Sequence, residues 1–304
     1  MTGFDVEAEV KRQLAEILEK MQKIPEGKKA YEGPEGICFA SDHFHWYDRN
    51  FNPIAAPDRI NGSIDCSSTN ITSLEGAPKS VGGIFDCSGT SITSLEGSPE
   101  EVGRGFLCLD TKITSLEGSP IKVGGNFRCS YTNITSLKGG PREVEGNFNC
   151  SSTNITSLEG APKSVGGSFL CSNTRITSLE GCPEEVGGNF WCNNTKITSL
   201  KGAPKNVGEN FDCSMTNITS LEGCSEEVGG SFECSYTSIT SLEGCPKKVR
   251  ESFWCLGTKI TSLKGAPVKI GNMKYSRFPN SISKQQLVAY KKWMKTNPID
   301  NYPG

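Results

Sequence analysis

Ten of the 14 cysteines in this chain recur at intervals of 21 residues, a row that could form disulfides, bind a soft metal or fill a core. The row consists of Cys66, Cys87, Cys108, Cys129, Cys150, Cys171, Cys192, Cys213, Cys234 and Cys255. Stacked strands lie about 4.8 Å apart, which is wider than the Cβ separation of about 3.8 Å across a disulfide. A tetrahedral metal site needs ligands that converge from several directions. We therefore interpret the row as buried free thiols that act as small apolar side chains, which requires a reducing compartment.

The two histidines of the chain, His43 and His45, are separated by one residue and flanked by Asp42 and Asp48. Alternate residues of a β-strand share a face, so a metal site is one interpretation of this pattern. Polar residues that decorate a terminal hairpin explain the same pattern without a metal, and we adopt that interpretation. The sequence contains no phosphate-binding loop and no histidine-supported nucleophile. It therefore predicts no enzyme, no catalytic residue, no bound metal and no cofactor.

A 21-residue template, repeated ten times over residues 60–267, positions the cysteines. In each copy a Phe (Ile64 in the first) stands two residues before the cysteine, and a Thr, an Ile and a Leu follow it by three, five and eight residues. The spacing of Phe and Cys places both side chains on one side of a strand. Self-similarity at this period predicts a solenoid in which each coil buries its apolar face against its neighbours. We expect one short strand in each coil.

The core pattern Phe-x-Cys-x-x-Thr-x-Ile resembles the leucine-rich repeat core, L-x-L-x-x-N-x-L. The stretch Ile-Thr-Ser-Leu, followed by a Pro, resembles the short repeats of bacterial secreted effectors in that family. The chain is also similar to uncharacterised repeat proteins of large tailed bacteriophages, which carry near-identical Ser-Leu-Glu-Gly-Cys-Pro phrases. The family resemblance implies a right-handed parallel β stack of leucine-rich-repeat type. Because Thr stands where the family has Asn, we expect threonine hydroxyls to satisfy backbone groups in the turn.

A solenoid needs caps at both ends, and the segments outside the repeats have the composition of caps. We expect an N-terminal cap over residues 1–59, the repeat domain over 60–267 and a helical C-terminal cap over 268–304. The N-terminal cap should contain a helix over 4–24 and an aromatic-rich hairpin over 36–59. One face of that helix should carry the apolar residues Val10, Leu14, Ile17, Leu18 and Met21.

The C-terminal cap should begin its helix at Ser283, which forms a capping box with Gln286. The helix that follows carries Leu287, Tyr290 and Met294 on one face, with Trp293 beside them, and ends before Asn297 and Pro298.

The charge balance gives no reason to expect nucleic acid or a membrane as a partner. The formal net charge is −2, from 32 basic and 34 acidic residues spread along the chain, so no basic patch is indicated. No run of about 18 apolar residues is present, and the first residues lack the unbroken apolar stretch of a signal peptide. Together with free thiols, these features predict a cytoplasmic protein, in the host cytoplasm if the protein is viral.

Charged residues between the Pro and the Val of successive repeats alternate in sign along the stack. They include Lys163, Glu184, Glu185, Lys205, Glu226, Glu227, Lys247 and Lys248. We expect ion pairs between neighbouring coils at these positions, each contributing about 0.2–1 kcal/mol at most.

The residue between the Phe and the Cys of each repeat faces away from the core, onto the surface that is concave in leucine-rich repeat stacks. The template needs no apolar residue there, and large ones therefore suggest the anchors of a protein interface. Drift between repeats is the alternative explanation. We predict that the partner-binding residues are Trp191, Trp254, Leu170, Leu107, Tyr131, Met215, Tyr236, Asp212 and Glu233.

These observations predict a non-enzymatic module that binds or occludes a partner protein through the concave sheet, of viral or bacterial effector type. A structural component of a virion or other assembly is the alternative. No motif in the sequence identifies the partner.

Overall fold

The computed structural model describes residues 6–22, 24, 26–274 and 276–295. A helix, α1, comes first, and a three-stranded antiparallel sheet, a stack of short parallel strands and a second helix, α2, follow it. The bounds of the elements outside the stack are Val6–Met21 for α1, Lys28–Gly33, Gly36–Ala40 and Phe44–Tyr47 for strands β1 to β3, and Lys284–Met294 for α2.

The stack contains two parallel sheets, because each coil contributes two strands and not the one that the sequence predicted. The first strand of a coil ends in the template Val, or in Ile in the terminal strands, and forms the 11-stranded valine sheet. Its strands are Arg59–Ile60, Ser80–Val81, Glu101–Val102, Lys122–Val123, Glu143–Val144, Ser164–Val165, Glu185–Val186, Asn206–Val207, Glu227–Val228, Lys248–Val249 and Lys269–Ile270. With only one apolar residue in each, these strands are too short to show the alternation by which strands are recognised.

The second strand of each coil forms the ten-stranded phenylalanine sheet. Its strands are Ile64–Asp65, Ile84–Asp86, Gly105–Leu107, Phe127–Arg128, Phe148–Asn149, Phe169–Leu170, Phe190–Trp191, Phe211–Asp212, Phe232–Glu233 and Phe253–Trp254. Pairing advances by one repeat at a time, so that Phe148 pairs with Phe127 on one side and with Phe169 on the other. The predicted parallel β-solenoid of about ten stacked 21-residue coils is thus confirmed.

The core between the sheets contains a column of aromatic rings. From Phe85 to Phe253 the centroids of neighbouring rings lie 5.0–6.1 Å apart, and all of these rings are fully buried. Phe44 of the N-terminal sheet lies 5.8 Å from Phe85, and Phe278 lies 5.9 Å from Phe253. The column therefore continues into the segments at both ends of the stack.

The ten row cysteines line the same core, and all 14 cysteines of the chain are free thiols. Each row thiol donates to the carbonyl oxygen of a residue stacked above it, with Sγ–O distances of 3.1–3.6 Å. The carbonyl oxygen of Trp191, for example, accepts both the thiol of Cys171 at 3.4 Å and its backbone N–H at 2.9 Å. Burial raises the pKa of these thiols above the ordinary value. The interpretation of the row as buried free thiols is confirmed.

Side-chain hydroxyls and glycines shape the turns. The Thr three residues after each row cysteine donates its hydroxyl to the carbonyl oxygen of that cysteine at 2.6–2.8 Å, as the departure from the family pattern predicted.

The glycine two residues after each template Leu has a positive φ, which is +84° at Gly181. A Cβ there would also lie 3.0 Å from the backbone of Leu158 and Glu159, so both conformation and space require glycine.

The N-terminal sheet covers the first coils. Trp46 is buried and donates its indole N–H to the carbonyl oxygen of Gly76 at 2.8 Å, and the backbone N–H of Phe44 donates to Glu75 at 3.1 Å. β2 and β3 form an antiparallel hairpin at the start of the predicted range 36–59, and β1 adds a third strand that the sequence did not predict, so that the sheet spans residues 28–47.

Helix α1 begins at Val6 and ends at Met21, inside the predicted range of 4–24. Residues 4, 5 and 23 lie outside the described residues, as do the side chains of Val10, Ile17 and Met21. Leu14 and Leu18 are more than half exposed. The prediction that these two leucines cover the stack is wrong, because β1 to β3 already occupy that end.

At the other end, α2 starts with the predicted capping box. Ser283 accepts the backbone N–H of Gln286, and Gln286 accepts that of Ser283. Tyr290 is fully buried and donates its hydroxyl to the carbonyl oxygen of Pro267 at 2.5 Å. Leu287, Trp293 and Met294 pack partly buried around it. The apolar face of α2 therefore covers the last coil.

Replacing Phe169 by alanine should lower the free energy of unfolding by about 3–5 kcal/mol, since it opens a cavity in the middle of the aromatic column. Phe169→Leu is the matched control and should cost less, because an aliphatic side chain already fills this position in the first coil. Chemical denaturation of the three proteins measures the difference. A Phe169→Ala protein as stable as the parent would contradict the inward position of this ring.

Thiol titration should show slow reaction of the row cysteines in the folded protein and fast reaction of all 14 after denaturation, because burial removes both access and thiolate. Cys182 and Cys224, which are only partly buried, should react first. Several disulfides in a natively prepared sample, detected by non-reducing mass spectrometry, would contradict this.

Candidate interaction surface

The outward side chains of the phenylalanine sheet form one continuous row, because its strands pair in register. In chain order the row contains Asp65, Asp86, Leu107, Arg128, Asn149, Leu170, Trp191, Asp212, Glu233 and Trp254. Adjacent members belong to neighbouring strands, which places their Cα atoms about 4.8 Å apart. The backbone carbonyls of this row accept the row thiols and their N–H groups, so the positions are fixed by the core.

Trp191 and Trp254 lie in this row with 40% and 36% of their surfaces exposed. Leu170 pairs directly with Trp191 and is partly buried. Two carboxylates, Asp212 and Glu233, occupy the two strands between the tryptophans. The tryptophans are therefore three strand spacings apart, about 14 Å.

The surroundings of Asp212 and Glu233 disfavour the ionised form of both carboxyl groups. Partial burial raises the pKa of Asp212, although the backbone N–H of Ser214 donates to this carboxylate at 2.9 Å. Partial burial, together with the neighbouring negative charge of Asp212, raises the pKa of Glu233 to about 6. Neither carboxylate forms an ion pair with another of the described residues. A cation placed between the tryptophans would relieve the repulsion.

A second row of residues runs beside the first, two residues after each row cysteine, and the backbone here is left-handed in all ten coils. Its members are Ser68, Gly89, Asp110, Tyr131, Ser152, Asn173, Asn194, Met215, Tyr236 and Gly257. Glycine and asparagine adopt this conformation most readily, whereas a large side chain costs about 1–2 kcal/mol.

Tyr131, Met215 and Tyr236 bear this cost while their side chains are 65%, 55% and 61% exposed. Burial therefore does not explain their presence, and strained exposed positions often serve function. Sequence reasoning selected these residues for their size but missed the strain. The recurring Gly, Asn, Asp and Ser at equivalent positions were the signal that indicated a left-handed turn.

The structure brings together most, but not all, of the predicted binding residues. Five consecutive coils carry the set that we call the C-terminal patch, which consists of Leu170, Trp191, Asp212, Met215, Glu233, Tyr236 and Trp254. Leu107 and Tyr131 belong to coils closer to the N-terminus. Leu107 is four strands from Trp191, about 19 Å away, so these two residues lie apart from the patch.

The valine sheet presents a different surface, on which charges pair between coils. Lys205 lies 2.9 Å from Glu184, Lys247 lies 3.5 Å from Glu226, and Lys248 pairs with Glu227. A further pair of the same kind joins Lys122 to Glu143, whereas the pairs of Lys138 with Glu159 and of Lys264 with Glu243 lie in the turns after the template Leu. The alternation of charge between the Pro and the Val predicted the pairs of Lys205, Lys247 and Lys248.

A separate cluster lies on the N-terminal sheet. The carboxylate of Asp42 lies 3.0 Å from Nδ1 of His43 and 2.9 Å from Nε2 of His45. The hydrogen bond from His45 holds the pKa of Asp42 well below its usual value. Asp48 lies outside this cluster, because its carboxylate accepts the backbone N–H groups of Asn50 and Asn52. The sequence left Asp42 and Asp48 as alternative partners of the two histidines, and it is Asp42 whose carboxylate contacts both rings.

Comparison with known proteins supports the fold. No protein-family model matches the chain, and no curated protein matches it. Among solved structures it is similar to the leucine-rich repeat protein YopM from Yersinia enterocolitica WA-314, with a TM-score of 0.56 and 16% sequence identity. The match covers 73% of this chain and spans about half, 49%, of that chain. This likeness shows the solenoid fold.

None of the described helices is long and apolar enough to cross a membrane.

The Met215→Asn variant should be more stable than the parent by about 0.5–1 kcal/mol, because asparagine tolerates the left-handed backbone. It can also extend the hydrogen bond that Asn194 already makes to Asn173 at 2.7 Å. Met215→Ala is the matched control, since it removes the exposed side chain but keeps a Cβ in the strained conformation. Thermal and urea unfolding measure both. A stability gain as large for alanine as for asparagine would contradict backbone strain as the cause.

Proposed function

We propose that this chain is a non-enzymatic module that binds a partner protein across the C-terminal patch, through which it occludes or scaffolds that partner. The observation that carries this proposal is the composition of the patch. It combines exposed aromatic side chains, exposed large side chains on strained backbone and two carboxylates without an ion pair. None of these features serves the core, which the Val, Phe, Cys, Ile and Leu of the template already fill.

The tryptophans supply the binding energy in this proposal. Trp and Tyr lose little conformational entropy when they are fixed in an interface, because each has only two rotatable side-chain bonds. Central, well-packed aromatic residues dominate most measured interfaces. With anchors about 14 Å apart, one extended segment or one helix of the partner can contact both Trp191 and Trp254.

The carboxylates supply the selectivity. A lysine or arginine of the partner, placed over Asp212 and Glu233, would relieve their mutual repulsion and would lie between two indole rings that attract cations. The partner should therefore present a basic residue flanked by apolar ones.

The free thiols support a location in a reducing compartment of the cell. A row of ten buried free cysteines is maintained most simply where thiols stay reduced, so we place the interaction in the cytoplasm, in the host cytoplasm if the protein is viral. An effector role, of viral or bacterial type, is part of this proposal.

Site-specific photocrosslinking tests the location of the interface. A photoreactive phenylalanine at Trp191 should capture a partner protein from lysate of the cells in which the chain acts. The same group at Glu185, on the valine sheet, should not. Equal capture from both positions would contradict the proposal. Capture of only further copies of the chain would favour the alternative of an assembly component.

The Trp191→Ala and Trp254→Ala substitutions should each weaken binding of the captured partner by about 2 kcal/mol, or about 30-fold. Their effect on stability should stay well below that of Phe169→Ala, because both side chains are partly exposed. Glu185→Ala is the control and should leave affinity unchanged. Calorimetry measures binding, and thermal melting measures stability. Unchanged affinity in both tryptophan variants would move the interface away from the patch.

The affinity for the captured partner, measured by the same titration, should depend on pH. Binding a cation favours ionised Glu233, whose pKa in the free protein is about 6, so affinity should fall as the pH is lowered through that value. The Glu233→Gln variant should lose this part of the pH dependence. A pH profile that is unchanged in that variant would exclude Glu233 from the contact.

A further inference from the structure

We propose that Asp42, His43 and His45 form a binding site for a divalent transition-metal ion, with Zn²⁺ as the best match. This site is independent of the proposed protein interface, because it lies at the opposite end of the stack from the C-terminal patch. The proposal replaces the interpretation of the two histidines as surface decoration.

The geometry brings three ligand atoms to one point. One nitrogen of each histidine and an oxygen of Asp42 all lie within 4.8 Å of one another. The two nitrogen–oxygen distances are 2.9 and 3.0 Å, and the ring centroids of the histidines are 4.1 Å apart. A tetrahedral Zn²⁺ with bonds of about 2.0–2.1 Å holds its ligand atoms roughly 3.3 Å apart. Small side-chain rotations therefore suffice to replace the hydrogen bond between His45 and Asp42, and the contact between His43 and Asp42, by bonds to an ion.

The backbone that carries these ligands is fixed by the first coils. Phe44 and Trp46 alternate with the histidines and are buried, which directs His43 and His45 to the other face of the strand. The carbonyl oxygen of Asp42 accepts the backbone N–H of Thr72 at 2.9 Å, and the hydroxyl of Ser41 donates to its carboxylate at 2.7 Å. A preorganised set of ligands lowers the entropic cost of binding.

The donor set determines the kind of ion. Two imidazole nitrogens and one carboxylate oxygen suit Zn²⁺ and its neighbours in the first transition row, whereas Mg²⁺ and Ca²⁺ prefer oxygen ligands throughout. Three protein ligands leave a coordination position open for water or for a group from another molecule. Both histidines are partly exposed, so an ion can reach them from solvent.

The thiols do not compete for the ion in the folded protein. Cys38, the nearest in sequence, pairs across the sheet with Trp46 and faces the core, and burial raises its pKa to about 12. The row cysteines are buried as well. Because the chain has only two histidines, any imidazole signal in a metal titration reports on this site alone.

Calorimetric titration of the full chain with Zn²⁺ at pH 7.5 should show one equivalent bound, and Mg²⁺ should show none. His45→Asn and Asp42→Asn should each weaken Zn²⁺ binding by at least about tenfold. Asp58→Asn is the matched control, since Asp58 is an exposed carboxylate whose described partner is Lys79, and it should bind like the parent. Thermal melting without metal verifies that the variants fold.

Nitrogen-15 NMR of labelled histidine provides a second readout. Zn²⁺ should shift one ring nitrogen of each histidine, Nδ1 of His43 and Nε2 of His45, at the same stoichiometry as the heat signal. The proposal is overturned if the parent binds no Zn²⁺, if binding survives in a His43→Asn, His45→Asn double variant, or if Co²⁺ gives the intense charge-transfer absorption of thiolate ligands.

Discussion

Every coil of this protein can bury its apolar side chains only against the coils before and after it, and this dependence on neighbours dictates the rest of the structure. It requires the same side chain to recur at the same place, which is why Phe, Cys, Ile and Leu return every 21 residues and why both sheets pair in register. The first and last coils lack one neighbour, so other segments of the chain must cover the two ends of the stack. Phe44 and Phe278 meet this need by extending the aromatic column beyond the outermost template rings.

A second consequence is that each template side chain has its own structural role within a coil. The cysteine is buried in the core and also donates its thiol to a carbonyl oxygen of the next coil, while the threonine donates its hydroxyl to the carbonyl oxygen of that cysteine and so closes the turn. Once these positions are assigned, the outward residues of the phenylalanine sheet can vary without affecting the core, and the left-handed turn residues can vary at a cost of about 1–2 kcal/mol in backbone strain. Variation there changes the surface without disturbing the stack, which makes the large residues Trp191, Met215 and Tyr236 informative about binding.

The period, the inward residues and the capping box of α2 could be predicted because each depends on local spacing and on residue type. The first strand of each coil, which belongs to the valine sheet, could not, since a pair such as Glu185 and Val186 becomes a strand only when its neighbours pair with it. The same holds for the exposed Leu14 and Leu18, whose helical spacing indicates an apolar face but not whether a surface remains for it to cover. Asp42 illustrates the limit for sites, because the contact of its carboxylate with both imidazole rings depends on how the loop before β3 rests on the first coil.

In-register stacking also determines how such a protein can change its length. Gain or loss of one whole 21-residue unit preserves every pairing, so an insertion between Trp191 and Trp254 would increase their separation by one strand spacing, about 4.8 Å. The distance between anchors is therefore adjustable only in fixed increments, and each increment also adds one outward and one left-handed position. A lineage of such chains can alter the span and composition of its binding surface by duplication alone, while the core of each added coil is already compatible with its neighbours.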